Sequence, residues 1–241
     1  MAEEQVEVQR VLMVAAHPDD VDFGSAGTIA TWTDAGLEVF YCIVTDGDAG
    51  GFDPQVPRSA IGSIRQDEQR KAAAALGVAD VEFLGHPDGQ LMVSFELRRD
   101  IARAIRRVRP DRVVIPSPQR DLRNLYASHP DHQAAGEAAL CAVYPDARNP
   151  FAHPELLAEE ELEAHTVPEV WVTSPNDRAD HYVDITDTFD RKIAALRAHV
   201  SQTAHMTALE ERMRAWGAMQ ARAAGLAEGR LAEGYLVLDT R

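Results

Sequence analysis

Two short clusters in the sequence hold side chains that can do chemistry together. His17-Pro18-Asp19-Asp20 sets one imidazole and two carboxylates within four residues, and Pro18 forces a turn among them. His129-Pro130-Asp131-His132 repeats this composition far along the chain. A nitrogen from His17 and an oxygen from Asp20 suit a divalent metal. A catalytic zinc site takes about three protein ligands and keeps a further position for water. The third ligand is therefore expected from the second cluster, where Pro130 suits the first position of a helix. His129 and His132 are three apart, so both can face one cleft. One can bind metal while the other stays free to act on substrate. A lone His-Pro-Asp says little. His86-Pro87-Asp88, followed by Gly89, reads as a turn, and His153-Pro154-Glu155 as a solvated loop in an acidic stretch.

Such clusters need a scaffold that brings them together. Short apolar runs alternate with helical patterns, which predicts an α/β fold: a Rossmann-like, mostly parallel β-sheet flanked by helices, in a single domain spanning 1–241. Val11 to Ala16 is apolar without alternation, as a strand covered on both faces requires. Further strands are expected at 39–44, 81–84, 112–115 and 170–172, with an edge strand at 182–185 and a last strand at 235–238. Helices are expected at about 24–35, 61–76, 95–108, 130–143, 187–200 and 207–224. The stretch from Pro145 to Pro168 reads as a surface excursion. In an open α/β sheet the ligand site lies at the carboxyl ends of the strands. His17 to Asp20 directly follows the first strand and His129 to His132 closes the loop after the fourth. A dinucleotide-binding fold would carry a glycine-rich turn at the first of these places. A carboxylate pair there repels pyrophosphate and argues against a nucleotide cofactor.

The bulk composition narrows the partners. The formal net charge is −15 over 241 residues, which argues against nucleic acid and anionic membrane surfaces. No run of about 18 apolar residues occurs, so no membrane span is expected. The acidic start has no apolar signal region after it, which points to the cytoplasm. Cys42 and Cys141 are expected as buried free thiols. No long heptad pattern appears, and the chain is compatible with a homo-oligomer.

The paired motifs, His17-Pro18-Asp19-Asp20 after the first strand and His129-Pro130-Asp131-His132 later, resemble the LmbE-like/PIG-L superfamily. Its members are zinc-dependent N-deacetylases and amidases, including enzymes of mycothiol, bacillithiol and glycosylphosphatidylinositol synthesis. The resemblance runs from about Val11 to Gln202 and takes in Thr45-Asp46-Gly47, Arg65, Glu68, Asp88-Gly89, Lys192 and His199 to Gln202. It implies that His17, Asp20 and His132 bind one Zn2+ per chain; a set of two histidines and one carboxylate also accommodates Fe2+. It further implies Asp19 as general base. His129 would be a charged group that stabilises the oxyanion or protonates the leaving amine, oriented by Asp131. Arg65 and Asp88 are implied as substrate contacts, with Asn124 and Tyr126 as further polar contacts from the loop before His129. Plainer readings remain open: an i,i+3 surface pair of Arg65 with Glu68, a turn role for Asp88, and helix-dipole compensation by His199. Many members carry Glu after the two aspartates, whereas this chain has Val21 and then Asp22.

The implied reaction is hydrolysis of an N-acyl group, acetyl above all, from a small-molecule amino sugar or sugar conjugate. Two alternatives stand beside it: an amidase acting on a larger conjugate such as a thiol S-conjugate, and a metal-containing sugar-binding module without turnover. Asp19 and His129 speak against the latter, because metal binding requires neither. A single set of metal ligands argues against a two-metal phosphoesterase.

Overall fold

Val11 to Ala16 have no polar face to offer water, and in the computed structural model of the protein all of them are buried. The structure describes residues 7–122, 125, 128–173 and 179–241. The first strand, β1 (Arg10–Ala15), sits inside a sheet with β2 (Glu38–Thr45), β3 (Asp80–His86), β4 (Arg112–Pro116), β5 (Glu169–Thr173), β6 (His181–Asp184) and β7 (Ala232–Asp239). Among the described residues the order is β3-β2-β1-β4-β5-β7-β6. Strands β1 to β5 pair in parallel, and β7 runs antiparallel to both β5 and β6.

Helices cover both faces: α1 (Asp20–Asp34), α2 (Arg58–Leu76), α3 (Phe95–Val108), α4 (Pro130–Cys141), α5 (Pro154–Ala158), α6 (Phe189–Ala198), α7 (Val200–Thr203) and α8 (Leu209–Ala223). The two-residue period of β1 divides the core between them. Leu12, Val14 and Ala16 pack with Leu97, Ile101 and Ile105 of α3 and Ala135 and Ala138 of α4. Val11, Met13 and Ala15 pack with Ile29 of α1, Leu76 of α2 and Ala195 of α6. A smaller cluster joins Phe189, Ile193 and Leu196 of α6 to Leu209 of α8.

The expected α/β architecture holds, and the differences have local causes. Helix α3 spans the expected residues, with Ser94 Oγ accepting from Leu97 N–H at 3.0 Å as its N-cap. Helix α1 starts at Asp20 rather than near Gly24, because its first turn is the polar motif and hides the apolar period. The last strand in the chain, β7, lies between β5 and β6, and β6 takes the edge expected of 182–185.

Two expectations are overturned. His153 is buried at 2% exposure, not solvated, and Leu156 and Val167 from the same stretch fill the α3/α4 core. The buried Arg106 guanidinium makes this possible by donating to the carbonyls of Asp146, Ala147, Asn149 and Ala152 at 2.9, 3.2, 2.9 and 2.9 Å. Those carbonyls would otherwise need water, so the loop can go inside. Of the two free thiols, Cys42 is buried but Cys141 is only half-buried.

The opening half of α1 is held from beneath. Lys192 Nζ donates to the Asp22 and Phe23 carbonyls at 3.3 and 2.6 Å and to Glu233 Oε1 at 2.6 Å. Glu233 in turn accepts from the backbone N–H groups of Gly27 and Thr28 at 3.2 and 2.8 Å. Both side chains are almost fully buried. Removing one partner of such a pair leaves the other charge uncompensated, whereas removing both is much milder. Lys192→Met is expected to destabilise the fold by about 3–5 kcal/mol in urea unfolding. Lys192→Met/Glu233→Leu should recover much of that loss.

Candidate metal and catalytic site

The order of the sheet places the carboxyl ends of β1 and β4 side by side, and both histidine clusters open there. His17 leaves β1 and Asp20 begins α1, with Asp20 Oδ2 accepting from the His17 backbone N–H at 2.8 Å. The second cluster opens α4, with Pro130 at its first turn. His17 Nδ1 lies 3.2 Å from Asp20 Oδ2 and 3.3 Å from His132 Nε2, and His132 Nε2 lies 3.0 Å from Asp20 Oδ1. Bonds of about 2.0–2.1 Å in a tetrahedron separate neighbouring ligand atoms by about 3.3 Å. The two nitrogens and one carboxylate therefore fit a zinc-sized ion by separation and by donor type.

Among the described residues two other groupings come within metal reach: His17 with His129 and His132, and His17 with Asp88 and Asp131. Neither suits an ion as well. Asp88 Oδ2 already accepts from Ala49 N–H at 3.1 Å, and Asp131 accepts from Gly89 and Leu91 N–H at 2.7 and 3.3 Å. Both carboxylates face the far side of the ring, with His17 Nε2 at 3.0 Å from Asp88 and 3.3 Å from Asp131. A carboxylate on the second nitrogen fixes the ring and leaves Nδ1 for a metal. His129 is exposed, and its Nδ1 accepts the Asp131 backbone N–H at 3.2 Å.

This geometry changes the expected part of Asp131. Its carboxylate orients His17, and it meets His129 through its backbone. Though its ring reaches solvent, partial desolvation by the neighbouring cluster and the charges of His17 and His132 push the pKa of His129 below its ordinary value, opposite to the charged form expected. A neutral ring that accepts at Nδ1 carries its proton on Nε2.

The electrostatics of the ligand set are steep. Burial works against a charge on His17, but the Asp20, Asp131 and Asp88 carboxylates outweigh it and raise its pKa to about 12. Burial likewise opposes the charge on Asp20, yet His132 and His17 hold it well below the usual carboxylate range. The cluster thus demands positive charge, as protons or as a metal ion.

Asp19 is held beside this set, within electrostatic reach of His17 and His132. Burial lifts its pKa to about 6, with Arg65 pulling it down and Asp20 pushing it up. Arg65 is only 4% exposed, and its Nη2 donates to Asp19 Oδ2 at 3.2 Å and to the Pro18 carbonyl at 2.6 Å. Its Nη1 donates to the Gly47 carbonyl at 2.9 Å. The turn after β2 must be bare for this fork to fit: a Cβ on Gly50 would lie 2.3 Å from Nη1. Arg65 thus clamps the aspartate rather than reaching into open space. Its helical neighbour Glu68 takes no part in a surface pair with it, and instead accepts from Ser201 N–H and Oγ–H at 2.8 and 2.7 Å.

Asn124 and Tyr126 lie outside the described residues. His86 pairs with Asp100 at 3.2 Å, away from the cluster. His199 faces Asp22 at 2.8 Å, with both side chains fully buried. Gln69 belongs to no motif in the sequence. Its Oε1 accepts the Asp19 N–H at 2.8 Å, and the available signal was its i+4 spacing from Arg65 on the buried face of α2.

A two-histidine, one-carboxylate cluster beside a second carboxylate, at the strand ends of an α/β sheet, is a centre of the kind used for metal-assisted hydrolysis. The chain belongs to the PIG-L family, described as GlcNAc-PI de-N-acetylase, which it matches over residues 12–143. It is 34% identical over 199 residues to a diacetylchitobiose deacetylase of Thermococcus kodakarensis, covering 81% of this chain and 71% of the relative. It is 31% identical to a probable N-acetyl-alpha-D-glucosaminyl L-malate deacetylase 2 of Bacillus anthracis, covering 81% and 82%. The structure superposes on the N,N'-diacetylchitobiose deacetylase of Pyrococcus horikoshii with a TM-score of 0.88 at 29% identity, covering 97% of this chain and 85% of that one.

The second-layer carboxylates generate a prediction. His132→Ala should abolish stoichiometric zinc binding in calorimetry. Asp88→Asn should weaken binding about 10–100-fold while leaving stoichiometry intact. In the wild type the affinity should fall as pH is lowered, because protons then compete for the same nitrogens and oxygens.

Proposed function

We propose that this member of the de-N-acetylases is a zinc-dependent hydrolase that removes the N-acetyl group of an amino sugar or amino-sugar conjugate. The carrying observation is the triangle of His17 Nδ1, Asp20 and His132 Nε2 with Asp19, clamped by Arg65, beside it. The relatives' names support the substrate class, since they act on N-acetylated glucosamine derivatives. A zinc ion held by the triangle would supply Lewis acidity toward the amide carbonyl and toward a water molecule.

The chain's own groups do the rest. Asp19 takes a proton from the attacking water as the oxygen–carbon bond forms. Its value of about 6 suits a group that must accept a proton and then give it up near neutrality. The neutral His129 ring offers its Nε2–H to the oxygen on which negative charge develops. The proton on Asp19 then passes to the amide nitrogen, the carbon–nitrogen bond breaks, and acetate and a free amine leave. Asp88 and Asp131 hold the His17 ring in register throughout, and Arg65 keeps Asp19 from turning away.

Purified protein loaded with zinc should release acetate from N-acetylglucosamine derivatives. Asp19→Asn is expected to lower kcat by about 10²–10⁴-fold. Chelator-treated protein should be inactive until zinc is restored. Equal acetate release by wild type and Asp19→Asn would remove Asp19 from the role of base.

A further inference from the structure

Asp19 occupies the N-cap of α1, where aspartate normally adopts an extended conformation and bonds the first N–H groups of the helix with its side chain. Here it does neither. Its φ is 87° and ψ −28°, in the left-handed region, and its carboxylate makes no capping hydrogen bond. Only its backbone carbonyl serves the helix, accepting from Asp22 and Phe23 N–H at 2.9 and 3.0 Å. An aspartate in this place has two alternatives: cap the helix, or turn away toward the metal ligands.

Arg65 holds the Asp19 carboxylate from one side, and three further buried side chains bear on the backbone that presents it. Gln69 Oε1 accepts the Asp19 backbone N–H at 2.8 Å. Gln69 Nε2 donates to Asp22 Oδ2 at 2.7 Å, which fixes which end of its amide faces Asp19. His199 Nε2 meets the same Asp22 oxygen at 2.8 Å. Gln69, Asp22 and His199 are all fully buried, and neither Asp22 Oδ1 nor His199 Nδ1 has a hydrogen-bond partner. None of the three touches the histidine cluster.

We propose that Gln69, locked by the Asp22–His199 pair, is a positioning residue that holds the Asp19 backbone in the left-handed turn and so keeps its carboxylate out of the cap and available to the reaction. The relay runs from α6's end through α1 to α2, and gives His199 a part that helix-dipole compensation would not need. The inference rests on the deacetylase reading only for its kinetic consequence; the backbone consequence stands apart from it.

The test uses Gln69→Met, which keeps length and removes the acceptor. In a crystal structure of the metal-free variant, Asp19 should leave the left-handed region and its carboxylate should bond the N–H groups of α1. With zinc loaded, kcat should fall about 10–100-fold while KM and zinc content stay close to wild type. In the Asp19→Asn background the same change should add less than about a twofold loss, since the group it positions is gone. His199→Leu should reproduce the kcat loss and His199→Gln, which can still donate to Asp22, should restore most of it; this pair decides the matter if Gln69→Met does not fold. Asp19 keeping its φ near 87° in Gln69→Met, or losses that multiply in the double variant, would overturn the proposal. Wild-type protein that releases no acetate from any N-acetyl amino sugar would overturn the deacetylase reading instead, and the crystal structure would still decide this one.

Discussion

Asp20, Asp88 and Asp131 converge on the single imidazole of His17, with Asp19 one residue away from the first of them. Such a concentration of carboxylates repels itself unless positive charge is shared within it. The wall of the site supplies part of that charge from outside the cluster. Backbone N–H groups of Ala49, Gly89 and Leu91 serve the outer carboxylates, and Arg65 serves Asp19. What remains unbalanced is the inner triangle, and that is the place fitted to a cation. The loops after β2 and β3, the starts of α1 and α4 and the middle of α2 are therefore all committed to one electrostatic problem at the end of β1.

Strain is part of the same solution. A left-handed aspartate costs about 1–2 kcal/mol relative to the ordinary conformation, and forgoing a side-chain cap forfeits about 1 kcal/mol more. The surrounding packing offsets both. Helix α1 is held instead by the Lys192–Glu233 pair, which binds its backbone groups one and two turns further on. Residues far from the chemistry thus let the first turn of α1 be shaped for function rather than for helix stability.

Much of this was legible beforehand, and the boundary of legibility is physical. The strand before His17 and the pairing of the two histidine clusters follow from apolar run length and from the strand-end rule. The role of Asp131 does not, because it depends on which of two imidazoles its carboxylate faces, and that is set by the loop from Asp88 to Leu91 arriving from β3. The spacing of Arg65 and Glu68 leaves a surface pair open beside the substrate contact that the resemblance implies for Arg65. Only the packing of α2 against α1 and α7 sends one to Asp19 and the other to Ser201. Gln69 carries no motif, since an amide on a charged helix is unremarkable until its neighbours are known. The burial of His153 is hidden for a similar reason: the buried Arg106 that satisfies its loop is distant in sequence.

The position of β7 bears on how the molecule assembles. Among the described residues strand β6 pairs in the sheet only with β7, and β7 arrives some fifty residues after β6. Until it docks, β5 presents an open edge, and Glu233, which β7 carries, cannot reach Lys192 or the N–H groups of α1. Closing so long a loop costs chain entropy before any contact rewards it. During synthesis the parallel strands and both histidine clusters emerge first, yet the helix that begins with Asp20 acquires its support among the last steps. The shaping of the candidate site is thereby coupled to completion of the sheet beyond β5.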